Sequence, residues 1–92
     1  NTIEIPEGIT LANYPNPFNA TTIIRYSINT PEKVTLSIYD ILGREVKQLI
    51  NEEKEPGYYE VTWNANRFAS GIYFYRLQAG KNIAINKLML LK

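Results

Sequence analysis

The stretch TTIIRYSINTPEKVTLSIY, residues 21–39, carries the pattern that decides the fold. Apolar and polar residues alternate on both sides of the turn signal NTPE, and the apolar positions are Ile24, Tyr26, Ile28, Val34, Leu36 and Ile38. Successive side chains of a β-strand point to opposite faces of the sheet. This period of two therefore predicts two half-buried antiparallel strands joined by a short turn, with Arg25 and Ser27 on the outer face.

Five further β-type runs flank this hairpin, at residues 9–14, 44–50, 58–64, 71–78 and 83–91. Turn residues rich in Pro, Gly, Asn and Asp separate the runs. The run 44–50 is ambiguous, because its apolar residues also fit one turn of a helix. About seven short strands at this spacing predict an all-β sandwich of antiparallel strands.

Length and composition limit the classes of function. Ninety-two residues form one domain, for which we expect a linker or edge strand at 1–8 and the β-sandwich at 9–92. Because the chain opens with Asn1 instead of Met, we expect a fragment of a longer, processed protein. The chain has no Cys and no His, which excludes disulfides, thiolate chemistry and imidazole catalysis. The net charge of +1 argues against nucleic acid, and no apolar run is long enough to span a bilayer.

The acidic residues do not form a catalytic or metal-binding pattern. Glu52, Glu53 and Glu55 cluster at residues 51–55, where we expect a solvated hairpin tip. Asp40 is the only aspartate, whereas calcium loops use several Asp or Asn residues around a glycine. We therefore predict no enzyme activity, no cofactor and no metal site.

The aromatic residues leave one alternative function open. Trp63 follows the inward alternation of its run, so we expect it in the core between two sheets. Tyr58 and Phe74 take outward positions, where exposed rings can form a carbohydrate-binding platform. An accessory carbohydrate-binding or spacer module of a secreted hydrolase is thus the alternative hypothesis.

The end of the sequence has a basic bias. Residues 71–92 include Arg76, Lys81, Lys87 and Lys92 but no acid. Two interpretations remain open: the lysines protect an edge strand from aggregation, or they display the hairpin to a partner. For the second, the candidate recognition residues are Lys81, Lys87, Leu88, Leu90 and Lys92, with the leucines or their alternates filling pockets of the partner.

Four motifs, taken together and in order, resemble a known family. They are LANYPNPFN at 11–19, DILGREV at 40–46, ASGIY at 69–73 and KLMLLK at 87–92. This order is similar to that of the type A sorting domains of the type IX (Por) secretion system. The immunoglobulin-like domain of flagellar hook-capping proteins has a related pattern, and a structural domain of that kind is a further alternative. The matching motif residues are Pro15, Asn16, Pro17, Asp40, Gly43, Gly71 and Tyr73.

The resemblance implies an immunoglobulin-like sandwich that carries a larger protein across the outer membrane. Its implied partners are the secretion translocon and a surface sortase. The implied location is secreted or at the cell surface, after passage through the periplasm, and we expect the isolated domain to be monomeric.

The motif residues also have physical roles that the sequence predicts. Gly71 should allow a backbone geometry that a Cβ disfavours. Tyr73 should form a tyrosine corner, with a buried ring and a hydroxyl bonded to nearby backbone. Pro15 and Pro17 should end the first strand. We therefore expect recognition on the last hairpin and not on these residues.

Overall fold

The computed structural model describes residues 6–92, and within that range it contains seven strands and no helix. The strands are β1 (Thr10–Tyr14), β2 (Thr21–Ile28), β3 (Glu32–Tyr39), β4 (Glu45–Lys54), β5 (Gly57–Asn64), β6 (Gly71–Ala79) and β7 (Asn82–Leu90). Tight turns join β3 to β4 and β6 to β7, whereas residues 65–70 form the longer connection that leads to β6. The all-β prediction is confirmed.

The strands form two antiparallel sheets that face each other. The three-stranded sheet has the order β1-β2-β5, and the four-stranded sheet has the order β4-β3-β6-β7. This arrangement of seven antiparallel strands in two layers is an immunoglobulin-like sandwich. It leaves β7 at one edge of the larger sheet, beside β1 of the other sheet.

The core consists of the inward positions of both sheets. The six apolar positions that alternate in residues 21–39 are all buried, as the period of two predicts. Trp63 is 1% exposed, which confirms its place between the sheets. The rings packed against it belong to Phe18, Phe68 and Tyr73, with centroids 5.3–5.7 Å away.

One outer-face prediction for β2 is wrong. Ser27 is fully buried, because the segment before β1 covers this end of the sheet. Its hydroxyl bonds the Thr10 hydroxyl at 2.7 Å and lies 3.3 Å from the Gly8 carbonyl, so the buried polar group is satisfied. Of the expected linker or edge strand at 1–8, residues 1–5 lie outside the described residues, and residues 6–8 form no strand.

The acidic segment after residue 50 is not a hairpin tip. β4 continues through Glu52 and Glu53 to Lys54, because it pairs with β3 along that strand's full length. The ambiguous run 44–50 is thus a strand and not a helical turn. Glu52 and Glu53 are solvent-exposed, and Glu52 forms an ion pair with Lys54 at 2.8 Å.

Candidate functional site

The predicted recognition residues lie on or beside β7, but they divide between its two faces. Lys81, in the β6–β7 turn, and Lys87 are exposed, whereas Leu88 and Leu90 are 0% exposed. The two leucines alternate onto the inner face of the four-stranded sheet and join the core. They therefore cannot fill pockets of a partner while the domain is folded, which corrects that part of the prediction.

The outer face of β7 carries the alternates of these leucines. Ile83 and Ile85 are 49% and 58% exposed, and they alternate with inward-facing Ala84. The apolar residues that β7 offers to a partner are thus near the hairpin turn. The buried leucines are at the opposite end of the strand.

The loop between β1 and β2 binds the outer edge of β7 at its C-terminal end, away from the β6–β7 turn. The Asn16 amide nitrogen donates to the Lys87 carbonyl at 3.1 Å, and its amide oxygen accepts from the Met89 backbone N–H at 3.0 Å. Phe18 continues this ladder: its N–H donates to the Met89 carbonyl at 2.9 Å, and its carbonyl accepts from the Leu91 N–H at 2.8 Å. The Asn16 side chain and the Phe18 backbone therefore together take the place of a neighbouring strand along residues 87–91.

Phe18 anchors this loop in the core. Its side chain is 2% exposed, and its ring centroid lies 5.7 Å from that of Trp63. The peptide bonds before Pro15 and Pro17 are both cis. Pro15 does follow the end of β1 directly, as predicted, but the clamp on β7 was not predicted. A single sequence offers no signal for an asparagine side chain that pairs with a strand about 70 residues later.

Lys92 is held by the connection between β5 and β6. Its ammonium group donates to the Asn66 carbonyl at 2.6 Å, and its backbone N–H donates to the Ser70 hydroxyl at 3.1 Å. Of the three predicted lysines, Lys92 is thus engaged within the domain, while Lys81 and Lys87 form no ion pair among residues 6–92.

The turn between β3 and β4 is built on Asp40. One carboxylate oxygen accepts the backbone N–H groups of Leu42 and Arg44 at 2.9 and 3.0 Å, and the other accepts from the Arg44 guanidinium at 2.8 Å. These bonds, led by the one from the Arg44 backbone, hold the pKa of Asp40 below its usual value. Gly43 has a φ of 81°, as the sequence predicts for this position.

Gly71 and Tyr73 shape the start of β6. Gly71 has a φ of 148°, which disfavours residues with a Cβ. Tyr73 is 8% exposed, and its hydroxyl donates to the Ala69 carbonyl at 2.7 Å. The tyrosine corner is confirmed.

A family model matches this arrangement. The model of the secretion system C-terminal sorting domain covers residues 12–91, which includes the loop that clamps β7, the Asp40 turn, the tyrosine corner and β7 itself. The chain belongs to this family of type IX secretion sorting domains.

Solved structures support the fold of the sorting domain. Dimeric latent PorU from Porphyromonas gingivalis matches with a TM-score of 0.72 and 19% identity, over 90% of this chain and 9% of PorU. PorZ, a surface component of the type IX secretion system of the same organism, matches with a TM-score of 0.67 and 22% identity, over 89% of this chain and 11% of PorZ. The sorting domain thus spans about a tenth of each. No curated protein matches its sequence.

The aromatic platform proposed as an alternative is not assembled. Tyr58 lies on β5 and Phe74 on β6, so the two rings face outward from different sheets, and Trp63 is buried. Among residues 6–92, no three His, Cys, Asp or Glu side chains gather in a way that would hold a metal. Nor does that part of the chain contain a helix long and apolar enough to cross a membrane.

Proposed function

We propose that this domain is a non-catalytic signal that directs a larger protein through the outer membrane by the type IX secretion system and on to the cell surface. The observation that carries the proposal is the family match over residues 12–91. The translocon and a surface sortase are its partners in this proposal, and the attached protein is secreted or held at the surface after crossing the periplasm.

The β6–β7 hairpin is the surface we propose for recognition. Lys81 and Lys87 are exposed, and neither forms an ion pair within the described residues. Residues 71–92 contain no acid, and the carboxylate that lies against the hairpin turn, that of Glu32 beside Gly80, leaves the hairpin with an excess of positive charge. This excess favours a partner of negative potential and orients its approach. Lys92 keeps its charge, but its ammonium group is bound to the Asn66 carbonyl, so the side chains available to a partner are those of Lys81 at the hairpin turn and Lys87 on β7.

The direct test attaches the domain to a reporter that is exported to the periplasm of a host with a type IX system. The fusion is expected at the cell surface, and the reporter without the domain is expected to stay in the periplasm. A fusion whose domain is folded, by protease resistance, yet remains in the periplasm would contradict the proposal.

A charge reversal then tests the proposed surface. Lys81→Glu with Lys87→Glu should leave the melting temperature almost unchanged, because exposed single charges contribute little to stability. The reporter fusion that carries this double variant should accumulate in the periplasm. The matched control is Lys47→Glu with Arg67→Glu, which makes the same change in net charge at residues outside the hairpin. Equal surface delivery of both double variants would show that the basic hairpin is not the recognition surface.

A further inference from the structure

We propose that the turn-proximal half of the β7 edge and the apolar cleft beside it form one docking surface for an extended segment of another protein, in which apolar side chains alternate with carboxylates. The inference deepens the proposed sorting function and rests on it for the biological setting. The binding event itself is tested separately.

The edge is free over only part of β7. Backbone groups of alternate residues in a strand point to the same side. The β1–β2 loop binds the backbone of Lys87, Met89 and Leu91, so the odd-numbered residues face the outer edge. β7 pairs with β6 without a register shift from Asn82 to Leu90, and the N–H and C=O groups of Ile83 and Ile85 therefore face the same way.

Nothing within residues 6–92 pairs with those groups on Ile83 and Ile85. An unpaired strand edge is a template for another extended chain, whose backbone completes the ladder. The clamp at 87–91 fills the rest of the edge. It therefore limits strand addition to the segment from the hairpin turn to Lys87.

An open cleft of about 380 Å³ adjoins this edge on the outer face of the four-stranded sheet. Its walls come from Ile41 of the β3–β4 turn, from Phe74 and Arg76 of β6, and from Ile85 of β7. Arg76 and Ile85 are directly paired across the two strands. Because Ile85 belongs to both the edge and the cleft wall, a segment bound to the edge places its side chains against the apolar cleft.

The wall contributed by the β3–β4 turn is exposed and held in place. Ile41 and Leu42 are 70% and 72% exposed, although the Asp40 hydrogen bonds fix the turn that carries them. Exposed apolar side chains next to an apolar cleft are typical of protein-binding surfaces. A fixed turn also reduces the entropy lost when a partner orders the surface.

The cations around this surface favour an incoming segment with acidic side chains. The Arg76 guanidinium bonds the neutral Gln78 amide oxygen at 3.1 Å, and among the described residues it has no carboxylate partner. Lys81 and Lys87 lie at the two ends of the free edge. Asp40, the acid at the cleft, is already paired with Arg44. Carboxylates on the incoming segment would meet these cations.

A second copy of this domain is a poor occupant. Edge-to-edge pairing of two β7 strands would add the lysines of a second copy to this edge and no carboxylate, because residues 71–92 contain no acid. In the registers that place lysines opposite each other, the like charges are also destabilising. A segment of a different protein, with acidic side chains, satisfies both the hydrogen-bonding edge and the charge.

The test uses two synthetic nine-residue peptides with branched apolar residues at alternate positions. One has Glu at the remaining positions and the other has Lys. NMR titration should show binding of the Glu peptide, with shifts at the Ile83 and Ile85 amides, and at least about tenfold weaker binding of the Lys peptide. Failure of the Glu peptide to shift these amides, or equal binding of both peptides, would overturn the inference.

Two variant pairs locate the contact. Ile85→Pro removes the N–H that faces the free edge and replaces the side chain at the cleft wall, and edge strands tolerate proline. It should weaken binding at least about tenfold, whereas Ile85→Val should not. Ile41→Ser should weaken binding and Leu42→Ser should not, because only Ile41 lines the cleft. The second pair alters two neighbouring exposed residues, so it keeps the inference testable if Ile85→Pro fails to fold. Equal affinities within both pairs would overturn it.

The same serine variants in the reporter fusion separate the two proposals. If the unmodified fusion stays in the periplasm, the sorting function is wrong while peptide binding is unaffected. If the unmodified and both serine fusions reach the surface equally, the sorting function stands and secretion does not use the docking surface.

Discussion

Replacement of Asn16 by alanine should loosen the far half of β7 and leave the domain folded. The Asn16 side chain supplies both the donor and the acceptor that a neighbouring strand would otherwise provide, at 3.1 Å to the Lys87 carbonyl and 3.0 Å from the Met89 N–H. Alanine removes both bonds, and with them the 3.3 Å bond from the Asn16 amide nitrogen to the Asn13 side-chain oxygen, but leaves the adjacent backbone bonds of Phe18 in place.

The expected loss of stability comes chiefly from the two bonds to β7, because the third, to Asn13, is a solvent-exposed contact between two side chains. A hydrogen bond contributes about 0.5–1.5 kcal/mol net, and two together contribute about 1–3 kcal/mol. Asn16 is exposed, so water replaces part of the lost bonding and the loss should be about 1–2 kcal/mol. A domain of this size has a total stability of roughly 5–15 kcal/mol and therefore stays folded. Its melting temperature should fall by roughly 5–15 °C.

Urea denaturation and amide hydrogen exchange measure this effect together. The Met89 amide loses its acceptor and should exchange faster, while the Leu91 amide, bound to the Phe18 carbonyl, should change less. Asn29→Ala is the control, because the Asn29 side chain makes one hydrogen bond, and that bond is to the Glu7 carbonyl and not to β7. If Asn16→Ala has the same urea midpoint as the control and leaves the hydrogen exchange rate of the Met89 amide unchanged, the loop does not clamp the strand.

Two further measurements test the core. Tyr73→Phe removes the 2.7 Å bond to the Ala69 carbonyl and should lower the free energy of unfolding by about 1 kcal/mol, and an unchanged urea midpoint would refute the role of the corner. Burial raises the pKa of Tyr26 and Tyr75, so the stability that these tyrosines provide is complete below the unfolded-state pKa of about 10. It should be lost as the pH rises through their folded-state pKa values, and a urea midpoint that stays constant to about pH 11 would contradict this.

The faces of most strands could be predicted because a period of two is a local property of the sequence. Trp63 and the alternating apolar residues of β2 and β3, which begin at Ile24 and Val34, are buried as expected, whereas Ile23 lies on the other face of β2. Ser27 is buried although the period of two places it on the outer face, because the segment before β1 covers it. The extent of β4 depends on pairing with β3 and not on its own acidic sequence, so its continuation to Lys54 could not be predicted.

The recognition residues on β7 show a different limit. Residues 83–91 carry apolar side chains at both odd and even positions, so alternation alone cannot distinguish the inner face from the outer. The partner strand decides it: Leu88 pairs with Tyr73, whose ring is in the core, and this places the even positions inside. The prediction that Leu88 and Leu90 contact a partner is therefore wrong for the folded domain, while recognition through this strand stays a prediction.

Two of the four sequence motifs, LANYPNPFN and ASGIY, converge on β7 although they are far apart along the chain. Asn16 and Phe18 bind its edge, Gly71 and Tyr73 pair with its buried leucines, and the connection behind the tyrosine corner holds Lys92. Each of these contacts fixes where β7 lies, and none of them uses the exposed segment from the hairpin turn to Lys87. The motifs thus act as the folding support of a strand whose free half is displayed. Changes at Asn16, Phe18, Gly71 or Tyr73 should consequently impair secretion through stability, whereas changes at Lys81 and Lys87 should impair it in a domain that still folds.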